Sequence, residues 1–541
     1  MANVFGIDLG TTYSCIAKCD ENEHIETIKP IGEYASDDTS IPSVVSFEED
    51  GTPIVGKDAK ENLKYPDTAI RTIDYFKRYM GEDYCPKEIL LGDCKRKVSP
   101  IEGSACILRS LISNIPQEYK NEKPKAVITI PASYNNDQRQ FVKNAARLAG
   151  IDVLGLIHEP TAAAIYYGMN SGDTVLVFDL GGGTLDVSVV NRDKEKYEVL
   201  AFASDISTTG RHIGGIDWDE VIIDLAVNKA RWERHKNDIE AEGWNKEFAE
   251  KCKRSFSNKI VQKTRFPNVN KKSEYVEIEY NEFVQMSNTL LDDCMKVVWA
   301  AIKEADKKNN GAIRIDRCIM AGGSSNLRMI KSRLSKELAE RIGLGRNEDE
   351  WLKKVDHPEK AIAEGAAKYA YRLEHKKDDK GIYIEERSSH SYGTSAIEDG
   401  KNKIINLVLS SDPFIITSKK SVKFKPLKGQ GKLVYFDIWE NEFSDNSYIY
   451  QYIKKEGNQY LCYNNIDKQP IARRIFNKPY ETEREDSHVQ LYVSRDKDGI
   501  ISIEVEENNK RKKFQVMPAI STEIIDQIKK SLELLDKKTE R

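Results

Sequence analysis

The sequence predicts a duplicated α/β domain over residues 1–376, a mainly antiparallel β domain over 390–516 and a short C-terminal helix. Three observations carry that reading. A pattern of apolar strand, Asp-Leu-Gly, hydroxyl residue and apolar strand occurs at residues 4–13 (VFGIDLGTTY) and again at 175–189 (VLVFDLGGGTLDVSV). Apolar strand-like runs alternate with helical segments as far as His375, the order of an α/β architecture. Beyond residue 390 apolar residues recur with period two, the signature of half-buried strands.

Each repeat reads as a hairpin whose turn lets a ligand approach the backbone. Glycine carries no Cβ and tolerates positive φ, so successive N–H groups can gather round an anion. Asp8 precedes the first turn, and Asp179 and Asp186 flank the second, where a hydrated divalent cation suits phosphate oxygens. A single Gly-Gly-Gly-Thr turn reads equally well as a structural hairpin. Two copies about 170 residues apart suggest instead a duplicated domain whose halves face each other across one phosphate. Each half then lends a carboxylate to one Mg²⁺ through its waters.

The 541 residues suffice for three or four compact units. A hydrophobic fraction of 39% supports real cores, and the net charge of −4, from 83 basic and 87 acidic residues, argues against general binding to nucleic acid or anionic membranes. Nine cysteines, an odd number without paired spacing, read as reduced thiols, with Cys15 and Cys19 filling a core. The chain enters a strand without a leader-like segment, and no run approaches the ~18 apolar residues of a membrane helix. The expectation is a soluble, cytoplasmic protein.

In chain order, residues 40–47 read as a strand with a proline near its start. Thr68 to Met80 reads as one helix ending at Gly81 and carrying Lys77 and Arg78. Residues 125–131 form a buried strand stopped by Pro131, 136–149 an amphipathic helix closed by Gly150, and 153–157 a short strand. The turn His158-Glu159-Pro160 leads into a compact helix over 161–168. After the central hairpin, 207–215 is a polar, glycine-bearing connection and 217–259 a long charged helical region. There Glu250, Lys253, Arg254 and Ser257 fall at i, i+3, i+4 and i+7, one helix face; periodicity alone favours a solvated face. Residues 318–325 (CIMAGGSS) are a strand ending in a turn suited to close backbone approach, and the small-residue helix after His357 can pack tightly at Gly365.

The charged stretch 375–381 marks a boundary. Strands follow at 404–409, 422–425, 433–439, 489–493 and 500–505, the last after the hairpin turn Asp498-Gly499. Lys419, Lys420, Lys423, Lys425, Lys428 and Lys432 cluster as one exposed strand face places them. Residues 521–536 form an amphipathic helix with Ile524, Ile525, Ile528, Leu532 and Leu535 on one stripe.

Four segments in order, residues 6–14 (GIDLGTTYS), 157–164 (IHEPTAAA), 178–184 (FDLGGGT) and 321–325 (AGGSS), closely resemble the seventy-kilodalton heat-shock chaperones. The resemblance covers roughly residues 3–372, and a weaker one runs from 391 (SYGT) to 498–503 (DGIISI). It implies an actin-like, ribonuclease-H-like ATPase domain with lobes of about 1–175 and 176–376. It further implies a linker at 377–389, a β-sandwich substrate domain at 390–516 and a short helix at 517–541. Implied cofactors are ATP or ADP, Mg²⁺ and K⁺. Implied partners are unfolded or extended polypeptides, a J-domain co-chaperone and a nucleotide exchange factor.

By that resemblance Gly10, Thr11, Thr12 and Tyr13, with Gly182, Gly183 and Thr184, form the phosphate turns. Asp8 and Asp179 hold hydrated Mg²⁺, and Asp186 lines the same cleft. Lys77 orients the attacking water, Glu159 positions it, and Asp8, Asp179 and Thr184 complete the catalytic group. Glu250, Lys253, Arg254 and Ser257 are the adenosine-binding helix face, reversing the reading from periodicity. Gly322, Gly323, Ser324, Ser325 and Asn326 complete the nucleoside pocket, with Glu359 near the ribose. Pro131 and Arg139 resemble a relay to the interdomain surface.

Departures from the family qualify these roles. Asn326 stands where an arginine usually packs on the adenine face, so a stacked guanidinium is lost and affinity is expected to be lower or base choice looser. Ile216 replaces an acid after Gly214-Gly215, and residues 382–386 (IYIEE) replace a leucine-rich linker, which predicts weaker coupling. About 25 residues follow the β domain, too few for the family's helical lid, so the helix there is expected to cover only part of a peptide groove. The function implied is an ATP-dependent chaperone whose nucleotide state modulates binding of extended apolar segments. The alternative is an ATPase switch whose β domain binds one dedicated protein partner. A small-molecule kinase on the same fold would need a catalytic base beside an acceptor pocket and leaves the β domain unexplained.

Overall fold

The computed structural model describes residues 4–29, 39–119, 122–194, 196–232, 239–257, 260–268, 274–342, 351–354, 358–375, 383–386, 388, 390–398, 401–410, 412, 415–417, 421–424, 432–441, 447–449, 452–456, 459–463, 472–484, 487–518 and 520–539. They form two compact units, one of residues 1–132, 141–384 and 520–541, the other of 133–140 and 385–519.

The first unit contains two sheets with one strand order. The first runs Asp152–His158, Lys125–Ile130, Val4–Asp8, Tyr13–Cys19, Ile25–Thr27. The second runs Leu352–Lys354, Arg317–Ala321, Thr174–Leu180, Leu185–Asp193, Lys196–Ser204, and Tyr383–Glu385 adds an edge strand. In both, the central strand is parallel to one neighbour and forms an antiparallel hairpin with the next strand in sequence. Both central strands are buried throughout, which is why they read as unbroken apolar runs rather than alternating ones. Each ends in the repeated Asp-Leu-Gly.

Helix Pro358–His375 lies against strand Val4–Asp8 and helix Glu159–Tyr167. A Cβ on Gly365 would stand 1.9 Å from the Ala162 carbonyl oxygen, and one on Gly6 2.0 Å from the Ala367 nitrogen. Only glycine allows this approach, so the small-residue composition becomes backbone-to-backbone packing.

Three local expectations are corrected. Thr68 to Met80 is not one helix but a short helix Pro66–Ala69, a strand Thr72–Ile73 and a 3₁₀ turn Phe76–Tyr79. Thr72 and Ile73 pair with strand Val45–Phe47, and Tyr75 takes a left-handed φ of 51°, which no continuing helix tolerates. The charged stretch 217–259 is two helices, Gly215–Ala230 and Ile239–Phe256, the first ended by Arg231 at φ 57°. The connection 207–215 includes part of a helix Asp205–Thr209, capped by the Ser204 hydroxyl.

The C-terminal helix Thr522–Thr539 belongs to the first unit and packs on helix Pro100–Ser113. Ile524, Ile528, Leu532 and Leu535 are buried, while Ile525 is half-buried. Ser531 donates to the fully buried Glu102 carboxylate at 2.6 Å, Gln527 donates to it at 3.1 Å, and Arg109 grips Asp536 with two nitrogens at 2.7 and 2.6 Å. The polar partners sit on helix Pro100–Ser113, more than 400 residues away in sequence.

The second unit is built of antiparallel strands in two sheets. One runs Ser447–Ile449, Lys401–Val408, Ser391–Glu398, Leu433–Asn441, Ala472–Glu481, Gln459–Tyr463, Tyr452–Glu456. The other runs Ile416–Thr417, Val489–Arg495, Ile501–Glu507, Lys510–Gln515, with Val422–Phe424 also on Val489–Arg495. Val434, Phe436 and Ile438 from one sheet share a core with Val489, Leu491, Val493, Ile501, Ile503 and Val505 from the other. Gly499 at φ 75° makes the expected hairpin turn. Lys423 and Lys432 are exposed; Lys419, Lys420, Lys425 and Lys428 lie outside the described residues.

All cysteines are free thiols and all but Cys94 are buried. Among the described residues no helix is long and apolar enough to cross a membrane.

Candidate active site

A cavity of about 530 Å³ is lined by residues of both sheets of the first unit. It gathers Asp8, Gly10, Thr11, Thr12, Tyr13, Lys77, Glu159, Asp179, Gly182, Thr184 and Asp186 with Glu250, Lys253, Arg254, Ser257, Gly322, Gly323, Ser324 and Asn326. Ser40, Gly181, Leu327 and Ile362 also line it, and none was singled out from the sequence. Gly183 and Ser325 do not reach the lining. Gly183 is covered by Thr11 and Arg78, and the Ser325 hydroxyl turns back to donate to the Gly322 carbonyl at 2.7 Å. Glu359 falls in the first turn of helix Pro358–His375, and its side chain lies outside the described residues.

The two glycine turns meet face to face. A Cβ on Gly182 would overlap the Thr12 hydroxyl at 1.8 Å, and one on Gly183 would stand 2.8 Å from Thr11. Within the second turn the Gly181 N–H donates to the Thr184 carbonyl at 3.0 Å, and Asp179 stands directly across the hairpin from Asp186. The N-terminus of helix Gly215–Ala230 is pinned there too, Gly215 and Ile216 donating to the Gly181 and Gly182 carbonyls at 3.0 and 2.9 Å. In the first turn the Gly10 N–H donates to Ser14, and Ser43 donates to the Gly10 carbonyl at 2.7 Å. Gly322, at φ 76°, brings a third turn so close that a Cβ would lie 2.6 Å from an Asp179 oxygen.

One end of the cavity is strongly acidic. Asp8, Asp179, Asp186 and Glu159 share it with one amine, Lys77, which donates to Glu159 at 2.7 Å and is itself buried. Burial pushes the Asp8 carboxyl up to about 7, reinforced by the Glu159 charge and opposed by Lys77 and the Thr129 hydroxyl, 2.8 Å away. Burial, then Glu159, hold Asp179 and Asp186 well above the usual carboxylate range. One oxygen each of Asp179 and Asp186 is buried without a hydrogen-bond partner among the described residues. Like charges held this close stay ionised only beside a cation. Carboxylates gathered at one end of the cavity, two of them with an unpartnered oxygen, fit a hard divalent cation that keeps its waters, as Mg²⁺ does.

A family model described as Hsp70 protein matches residues 4–442, about four-fifths of the chain and the whole cavity lining. The chain belongs to the Hsp70 family. Hsp70 proteins are chaperones with ATPase activity; they bind ATP or ADP with Mg²⁺ and generally bind unfolded polypeptides and co-chaperones.

In this Hsp70 protein the helix face read from the i, i+3, i+4, i+7 spacing does turn into the cavity, but much of its charge is spent on holding the walls together. Glu250 accepts from the Tyr13 hydroxyl at 3.2 Å and from Lys60 at 2.7 Å. Burial alone would raise the Glu250 carboxyl; Lys60, Arg254 and Lys253 hold it at about 2 instead. Lys253 donates to the Gly215 carbonyl at 2.8 Å and to Asp219 at 2.7 Å. Lys64 pairs with Glu247 at 2.5 Å beside them. Three side chains that bond to residues of the cavity were given no role from the sequence: Arg78, which donates to the Gly183 carbonyl at 2.6 Å, Thr129 and Lys60. Only Arg78 had a local signal, its place next to Lys77.

Proposed function

We propose that this Hsp70 protein hydrolyses ATP in the cavity and that the nucleotide state sets the affinity of its β domain for extended apolar polypeptide segments. The observation that carries this is the convergence of two glycine turns, four acids and the Lys77–Glu159 pair on one cavity. Phosphoryl transfer to water needs positioning and charge neutralisation rather than covalent catalysis. Backbone N–H groups of the turns bind the phosphates, Lys77 orients the attacking water and Glu159 fixes Lys77. Thr184 lies on the same wall. Mg²⁺, when bound through its waters by Asp8 and Asp179 with Asp186 beside them, supplies the charge that neutralises the phosphates.

The repeated strand order supports reading residues 1–376 as an actin-like, ribonuclease-H-like ATPase domain of two lobes, 390–516 as a β-sandwich and 377–389 as the linker. K⁺, a J-domain co-chaperone, an exchange factor and a cytoplasmic location belong to the same proposal. The test is the affinity of a fluorescent extended-peptide library for the full chain with ATP and with ADP. Coupling of the usual ~1–3 kcal/mol weakens binding about 5- to 150-fold in ATP. No peptide binding in either state, with ATP still hydrolysed, would overturn the reading in favour of one dedicated protein partner.

A further inference from the structure

The 3₁₀ turn Phe76–Tyr79 sets two cations side by side with different targets. Lys77 is buried and lines the cavity, whereas Arg78 is not part of the lining. Arg78 lies instead over the second glycine turn, 105 residues further along the chain, and its Nη2 donates to the Gly183 carbonyl at 2.6 Å. The approach depends on glycine, because a Cβ at position 183 would stand 2.9 Å from the Arg78 Nε. The guanidinium carbon sits 6.0 Å from the centre of the Tyr75 ring. Tyr75 holds a left-handed φ of 51°, and its carbonyl accepts from the Arg78 N–H at 3.0 Å. A left-handed aromatic residue is uncommon; it persists where the surrounding structure enforces it, often at a functional site.

We infer that Arg78 is a positioning residue that aims the Thr184 N–H at the terminal phosphate of bound ATP. This rests on the nucleotide reading above and deepens it. The Gly183 carbonyl and the Thr184 N–H belong to one trans peptide, so they point in opposite directions. The carbonyl is turned out to Arg78, which turns the N–H the other way, and Thr184 is the one of the two residues that lines the cavity. Left to itself, a turn of three successive glycines has no side chain to fix that peptide and rotates easily. A charged donor on the carbonyl holds it more firmly than a neutral one. A donor fixed in advance needs no reorganisation as charge develops on the phosphate. Arg78 follows Lys77 directly in the chain, so its grip falls where the nucleotide reading puts the phosphate under attack.

The test compares the full chain with its Arg78→Ala and Arg78→Lys variants, all with Mg²⁺. ADP affinity is measured by calorimetry and ATP hydrolysis in single turnover. Arg78→Ala is expected to slow hydrolysis about ten- to hundredfold, the scale of one hydrogen bond from a charged donor, and to leave ADP affinity within about twofold. ADP lacks the terminal phosphate, so it is indifferent to the aim of the Thr184 N–H but not to collapse of the turn. Arg78→Lys keeps one charged donor and is expected to recover hydrolysis to within about threefold of wild type. Hydrolysis by Arg78→Ala within about twofold of wild type would overturn the role. An equal loss of ADP affinity and rate would overturn it too, as would a lysine variant no faster than the alanine one. A wild-type chain that binds no ADP and hydrolyses no ATP would overturn the nucleotide reading itself.

Discussion

Lys77 shows how a single charge is made decisive. Its amine is buried, is 2.7 Å from Glu159 and faces three further carboxylates. Lys77→Ala is expected to keep ATP binding, since the glycine turns are untouched, and to slow hydrolysis by about 10²–10³, the scale of losing one preorganised charge contact. Single-turnover hydrolysis within about threefold of wild type would refute the role. In the second unit, Glu440 is buried, takes hydrogen bonds from Tyr392 at 3.0 Å and the Asn136 N–H at 3.1 Å, and pairs with Arg473. Burial opposes its charge, yet Arg473 outweighs this and holds the carboxyl at about 2, against 4.5 when free. A depressed carboxylate stabilises the fold above its unfolded pKa, so about 3 kcal/mol is present above pH 4.5 and is lost as pH falls from 4.5 to 2. Melting curves over that window should fall more steeply for wild type than for Glu440→Gln; parallel curves would show that the pair is not the source. The aspartates of the glycine turns were legible because motif and chemistry are local. Thr129, Arg78 and Lys60 were not, because their partners lie 121, 105 and 190 residues away.

At the scale of elements, strands were read well and helices less so. The central strands are continuous apolar runs and the strands of the second unit alternate, so burial writes their pattern directly into the sequence. The helix expected from Thr68 failed at Tyr75, whose left-handed backbone has no marker in an aromatic residue. The C-terminal helix was recognised from its stripe, but a stripe says only that one face is covered. Here the cover is helix Pro100–Ser113, with Glu102 at the centre. Ile528→Ala, at a fully buried position, should lower the stability of the first unit by about 2–5 kcal/mol, seen as a shifted calorimetric transition. An unchanged transition with altered peptide release would instead assign the helix to client binding.

At the scale of the whole molecule, the chain divides into an α/β unit and an antiparallel β unit, but the division is not a cut between two stretches of sequence. Residues 133–140 group with the second unit and 520–541 with the first. The sequence alone determined the two sheets' central hairpins, the acids and glycines at their ends, the alternating strands beyond residue 390 and membership of a chaperone family. Those features are set by short-range requirements: backbone freedom in a turn, a period of two or 3.6, a phosphate's need for N–H donors. Only the tertiary structure decided that Lys60 and Glu250 tie the cavity walls and that the last helix covers Glu102. The physical reason is that hydrogen bonds and ion pairs act over about 3 Å in space, with no regard for distance along the chain.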